Sequence, residues 1–260
     1  MKSSFLLFFF ALFVLNPLFS QNATHKVTYH CTTNIAKGKV HDGLNTLYFA
    51  ADKGLFIHNN YPKEDKSEWH SETSLHYVKG DPEGLPVFVD LKEQYMVYKS
   101  TYSTTKKVFI FEEEVPKIDW KIDKETKTIG NFTCIKATGV FGGREYVVWF
   151  TPDIPIALGP YKLGGLPGLI LEAKSTDDKV AYEFNTYESK IEETVTLAKP
   201  TDGQEVTWDK FKEFVINKLI RAEALSTSEY TITNNDPSPN WEIEKNKFTI
   251  ISEYKKERGF

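Results

Sequence analysis

Residues 163–173 read LGGLPGLILEA, the most apolar run downstream of the N-terminus in a chain whose residues are 26% charged. Gly164, Gly165, Pro167 and Gly168 interrupt that run, although glycine and proline break regular structure. A membrane-seeking segment, a buried corner and a binding loop are the competing readings. A continuous helix does not pass through Pro167-Gly168, and the run falls short of the ~20 residues that a helical span needs. Leu166-Pro167-Gly168-Leu169 puts Pro and Gly at the centre of a predicted type II turn, where each has its preferred φ. Upstream, Tyr146 to Phe150 reads as a strand, followed by the irregular TPDIPIALGPYKLGG. Downstream, Leu169 to Ala173 resumes as a strand and returns through Ser175-Thr176-Asp177-Asp178 into VAYEFNTYES. The stretch is a corner. Its residues Gly159, Pro160, Tyr161, Gly164, Gly165, Leu166, Pro167, Gly168, Leu169 and Ile170 have two possible uses. They either fill the core beneath the loop, or present a proline-stiffened surface to an extended peptide, an apolar ligand or a partner's edge.

Working outward, short apolar segments alternate with turn chemistry. KVTYHCTTN, NTLYFAADKGLFIHN, PVFVDLK, QYMVYKSTY, KKVFIFEEE, FTCIKATGVF, REYVVWF, GLILEAK and VAYEFNTYES read as strands. Lys37-Gly38, His41-Asp42-Gly43, Gly80-Asp81-Pro82, Gly142-Gly143 and Thr176-Asp177-Asp178 read as turns. Gly142-Gly143 is the clearest hairpin signal, because both residues tolerate positive φ. Strands this close in sequence pair as an antiparallel meander. The span 207–225, TWDKFKEFVINKLIRAEAL, instead has Trp208, Phe211, Val215, Leu219 and Ala222 at helical spacing, with Thr207 as cap and Asp209 in the first turn. The predicted fold is mainly β: an antiparallel curved sheet, sandwich or partly closed barrel, with one helix near 207–225 packed on it. After the helix, NNDPSPN is a linker, and residues 236–260 add a strand and a mixed-charge tail.

Residues 1–20, MKSSFLLFFFALFVLNPLFS, have the short positive start, apolar centre and turn-prone end of a secretory signal peptide, with cleavage expected after Ser20. The remainder, 21–260, is expected to be one β-rich domain that lies in the periplasm with no transmembrane span. Without Lys2 it carries 31 basic against 36 acidic residues, a balance that argues against nucleic acid as a partner. A lipid-facing barrel is disfavoured because Arg258, Lys256 and Tyr254 hold the alternate positions before Phe260. An exported chain with two cysteines usually pairs them, so a Cys31–Cys134 disulfide is expected, with two separate buried thiols as the rival.

The catalytic vocabulary is sparse. No G-x-S-x-G, H-E-x-x-H or P-loop pattern occurs. Glu112-Glu113-Glu114 reads as a solvated strand end, while an acid pair drawn from distant strands would leave no local mark. His58, His70 and His76 offer zinc- or copper-type donors, but their spacing matches no standard ligand pattern. No metal site, catalytic residue or cofactor is assigned.

The hexapeptide Gly165 to Ile170, GLPGLI, resembles the signature of the GLPGLI family of exported Bacteroidetes-type proteins. Gly159-Pro160-Tyr161 and Cys134-Ile135-Lys136-Ala137 extend the resemblance, which spans the larger part of the chain from NTLYFAADKGLF onward. It implies an envelope location and names no catalytic residue. Members are associated with TonB-dependent outer-membrane receptors. The function expected on this basis is a non-catalytic binding or accessory role beside such a transport or assembly system, with an envelope protein or receptor as partner. A metal-handling protein and a hydrolase with a concealed acid pair are the alternatives.

Overall fold

The computed structural model describes residues 21–36, 39–58, 85–102 and 107–211, together with 213, 214 and 217. The predicted signal segment, the turns Lys37-Gly38 and Gly80-Asp81-Pro82, His70, His76 and the tail 236–260 lie outside the described residues.

The chain is mainly β, as its alternation predicts. The strands are β1 (Gln21–Asn22), β2 (His25–Ala36), β3 (Lys39–Ala50), β4 (Lys53–His58), β5 (Leu85–Asp90), β6 (Tyr95–Tyr102) and β7 (Lys107–Glu114). Next come β8 (Lys121–Ile129), β9 (Phe132–Phe141), β10 (Arg144–Thr151), β11 (Leu169–Ser175), β12 (Val180–Glu188), β13 (Thr196–Leu197) and β14 (Gln204–Glu205). Twelve of them form one sheet in the order β14-β7-β6-β5-β4-β3-β2-β12-β11-β10-β9-β8, and β1 pairs with β13. Every pairing is antiparallel except that of β14 with β7. The two ends, β14 and β8, do not pair, so the sheet is open and not a closed barrel.

The strand alternation builds one inner face. Its ladder row runs Phe111, Tyr98, Val87, Phe56, Leu47 and Val27 through β7, β6, β5, β4, β3 and β2. A second row continues from Cys31 through Tyr182, Ala173 and Val148 to Ala137 on β9. All of these side chains belong to one buried cluster. Phe56 and Tyr182 lie three strands apart and four residues out of register along β2, more than about 14 Å on a flat sheet, yet their ring centroids are 6.3 Å apart. The sheet therefore curls around its core. Residues 152–168 cover the hollow, and a helix α1 that starts at residue 208 closes its β7 end.

Helix α1 begins as the sequence predicts. The Phe211 N–H donates to the Thr207 carbonyl at 3.0 Å, and the Thr207 hydroxyl accepts the Lys210 N–H at 3.4 Å. Phe211 packs at centroid distances of 5.2 Å from Phe109 and 5.1 Å from Phe111. On the outer face, Ala50, Leu55 and Phe88 are covered by Ala23 and Leu197, with Ile191 and Val195 packed against them. Among the described residues no helix is long and apolar enough to cross a membrane.

Several local expectations need correction. His41-Asp42-Gly43 is not a turn but the interior of β3, paired with Thr33, Thr32 and Cys31. NTLYFAADKGLFIHN is not one strand: it folds back at Ala51-Asp52, where Ala51 takes φ 48°, and Ala50 faces Lys53. Gly142 and Gly143 do form the predicted hairpin, with φ of 55° and 71° and Phe141 opposite Arg144. β8 escapes the apolar pattern because it is an edge strand with both faces wet.

The expected disulfide is also overturned: Cys31 and Cys134 are separate buried thiols. The register carries Cys31 across four strands to Ala137, roughly 19 Å along a flat sheet, and Cys134 lies three residues from that point on a regular stretch of β9. Both thiols belong to the main buried cluster, held apart by the strands between them. Burial, with the Glu172 carboxylate nearby, pushes the Cys134 thiol up to about 11.

Candidate functional site

The corner is bound into the hollow by its backbone. The Leu169 N–H donates to the Ile154 carbonyl at 3.0 Å, Ile170 to Leu158 at 3.0 Å and Gly165 to Ala157 at 3.1 Å. The Tyr29 hydroxyl donates to the Ile170 carbonyl at 2.8 Å, and the Trp120 indole N–H donates to the Gly164 carbonyl at 2.8 Å. Leu163, Leu166, Leu169, Ile170 and Leu171 are all buried in the main cluster. The apolar side chains of LGGLPGLILEA are therefore core.

The predicted type II turn is replaced by a tighter bend. The Gly168 N–H donates to the Leu166 carbonyl at 2.8 Å, and the Leu169 N–H is taken by Ile154. Gly168 is required for closeness: a Cβ there would lie 2.1 Å from the Thr151 carbonyl oxygen.

Between this corner and β4–β6 lies a narrow crevice with room for about one water molecule, with Phe56, Val87, Met96, Leu158, Tyr161 and Lys162 among its walls. Tyr161 adopts φ 58°. Lys162 beside it is buried, with its Nζ 3.2 Å from the Tyr98 ring centroid and 3.5 Å from Glu113 Oε2. Tyr161 stands edge-on to Phe56 at 6.4 Å, and the buried His58 stacks on the same ring at 6.5 Å. Glu113, read in the sequence as a solvated acid, is thus the counter-charge of a buried ammonium. The crevice offers one cation held between rings and a carboxylate, in walls that are mostly carbon. A ligand rich in hydroxyl groups has few partners there. Among the described residues no three His, Cys, Asp or Glu side chains converge as metal ligands.

A second cluster, missed in the sequence, surrounds Trp149, which packs against the main buried cluster. Trp149 of β10 has Lys136 of β9 on one side in register and Glu172 of β11 on the other. Lys127 Nζ lies 4.6 Å and Lys136 Nζ 6.0 Å from the indole centroid. Lys127 bonds Glu172, and Lys136 bonds Glu125 at 2.6 Å. The available signal was that REYVVWF carries bulky apolar residues on both alternations, the pattern of a strand packed on both faces.

Residues 82–213 match the family described as the N-glycanase peptide, N-terminal domain. The chain belongs to this family. Two solved structures of a protein called PNGF-II share the fold. The one in the C2 space group is 18% identical, with a TM-score of 0.52 over 74% of this chain and 32% of that one. The one in the P21 space group is 17% identical, with a TM-score of 0.50 over 74% of this chain and 33% of the other. The chain thus spans about a third of the length of these structures, and the likeness shows the fold alone. No curated protein matches in sequence. Membership of the N-glycanase family overturns the GLPGLI resemblance: the Gly165–Ile170 hexapeptide reflects the tight covering corner of this fold. It also overturns the expected non-catalytic accessory role beside a TonB-dependent receptor, which rested on that resemblance.

Proposed function

We propose that this protein takes part in the hydrolytic release of N-glycans from glycoproteins, as the N-terminal domain of an N-glycanase. The observation that carries this reading is the family match over residues 82–213, which includes the corner, the buried Lys162 and the strands around Trp149. A signal segment at 1–20 fits the same reading, since an exported protein meets glycoproteins outside the cell. Incubating the full-length protein with a glycoprotein of defined N-glycans, then weighing the glycopeptides by mass spectrometry, tests it. Loss of the glycan mass is the expected result. Glycopeptides left intact, with native and denatured substrate alike, would sink it.

A further inference from the structure

We propose that Gln21 is a latent modification site: as the amino terminus left by removal of residues 1–20, it can close to pyroglutamate, and the docking of β1 holds it open. The proposal takes up the cleavage after Ser20 expected from the sequence, and it stands apart from the N-glycanase reading.

Cleavage after Ser20 frees the α-amine of Gln21. A glutamine in that place carries a nucleophile and an electrophile on one residue. The amine nitrogen bonds to Cδ, the Cδ–Nε2 bond breaks, and Nε2 takes a proton from the amine and leaves as ammonia. The product is an uncharged five-membered lactam, so the terminal positive charge is lost with the amine. The step is an internal displacement at an amide. It needs no oxidant, reductant or second reactant.

The fold engages the group that must leave. β1 begins at Gln21, the residue that cleavage leaves first, and sets it opposite Leu197, with Asn22 opposite Thr196. The Gln21 Nε2 donates to the Ala50 carbonyl at the end of β3, at 3.1 Å. The residues that follow are anchored too. The Ala23 N–H donates to the Val195 carbonyl at 2.8 Å, and the Thr24 N–H donates to the Phe49 carbonyl at 3.1 Å. Ala23 and Leu197 are buried together over Ala50, Leu55 and Phe88. Closure folds the carboxamide back on the residue's own nitrogen and expels Nε2, so it breaks the bond to Ala50. The reaction therefore runs from chains whose β1 has undocked, and it is slowed in proportion to how rarely they occur. Pairing of β1 with the distant β13 comes late in folding, yet folding is fast beside uncatalysed displacement of an amide nitrogen. The exported protein accordingly keeps Gln21 open. Once closed, the residue has no Nε2 to give Ala50, and the change marks a chain that has opened at this end.

The test is mass spectrometry of the protein expressed from the full chain and purified after export, with its amino-terminal peptide sequenced. Wild type kept folded, wild type unfolded in guanidinium chloride, L197S, L44S and Q21N are followed at one pH and temperature. Leu197→Ser loosens the apolar seat of β1, whereas Leu44, 42% exposed on β3, is a control away from it. Expected is a wild type that begins at Gln21 with its carboxamide intact. Loss of one ammonia from that residue should run at least about tenfold faster in the unfolded chain. L197S should fall between the two, and L44S should match the folded wild type. Q21N should lose none at its first residue even when unfolded, because its shorter side chain would need a four-membered ring. If L197S does not fold, its rate joins the unfolded one, and the two wild-type arms still decide. An amino terminus other than Gln21, a wild type isolated already cyclised, an unfolded chain that never closes, or equal rates in folded and unfolded wild type overturns the proposal. So does a folded, loosened L197S that closes no faster than wild type.

Discussion

At the scale of single residues, the glycines of the corner do different jobs. Gly168 lets the chain pass the Thr151 carbonyl, where a Cβ would sit 2.1 Å from the oxygen, 2.6 Å from its carbon and 3.0 Å from the Pro152 Cα. Backbone cannot swing aside as a side-chain tip can. Gly165 has φ +85° with open space around it, its nearest neighbour being the Trp120 indole nitrogen at 3.9 Å. Gly168→Ala is expected to destabilise by about 2–3 kcal/mol through overpacking, and Gly165→Ala by about 1–2 kcal/mol through the left-handed conformation alone. Urea unfolding of both variants checks this, and equal midpoints would refute the difference in cause. Composition shows that glycines are present. It does not show which one faces a carbonyl, because the carbonyl belongs to the end of the preceding strand.

At the scale of elements, the β5–β6 connection shows a charge used inside a turn. Asp90 ends β5 almost fully buried and accepts the Lys92 N–H at 3.1 Å and the Glu93 N–H at 3.0 Å, while Lys53 approaches at 3.2 Å. Burial pushes its carboxyl up, but the Glu93 N–H, the Lys53 ammonium and the Lys92 N–H together outweigh it, so the group titrates below its ordinary value. A depressed carboxyl stabilises the fold fully above its unfolded pKa, about 3.9, and that contribution is lost as pH falls through the lower folded value. Asp90→Asn keeps an acceptor oxygen for the two N–H groups but loses the charge. Its stability deficit against wild type should be widest near neutrality and narrow below about pH 4. A deficit constant from neutral to acid pH would assign the residue's role to shape alone. The capped start of α1 and the Gly142-Gly143 hairpin were legible, since both are written in contiguous residues. The Ala51 turn was not, because a non-glycine residue at φ 48° is held there by the flanking ladder of β3 and β4.

At the scale of the molecule, a twelve-stranded open sheet places its protected centre at β3, β2 and β12 and its weakest strand at one edge. Along β8 nearly every residue is exposed, and its pairing with β9 is interrupted between Ile122 and Thr126. Hydrogen exchange should therefore find the slowest amides around Cys31 and Tyr182, and the fastest strand amides at Asp123, Lys124 and Glu125. Comparable protection in both regions would mean that the edge is covered in solution. The bulge and charges of β8 also discourage another chain from adding to that edge.

The sequence by itself determined the strand-rich class, the meander, the hairpin glycines, the start of the helix and the breaking of any helix at Pro167-Gly168. Each follows from interactions within a few residues, or from the two-residue alternation of a strand. The tertiary structure alone decided that the corner is core, that Cys31 and Cys134 stay separate thiols, that Lys162 meets Glu113, and that Trp149 stands among Lys127, Lys136, Glu172 and Glu125. These facts depend on the register and curl of strands far apart in the chain, and a shift of one residue in any ladder would turn each side chain to the other face.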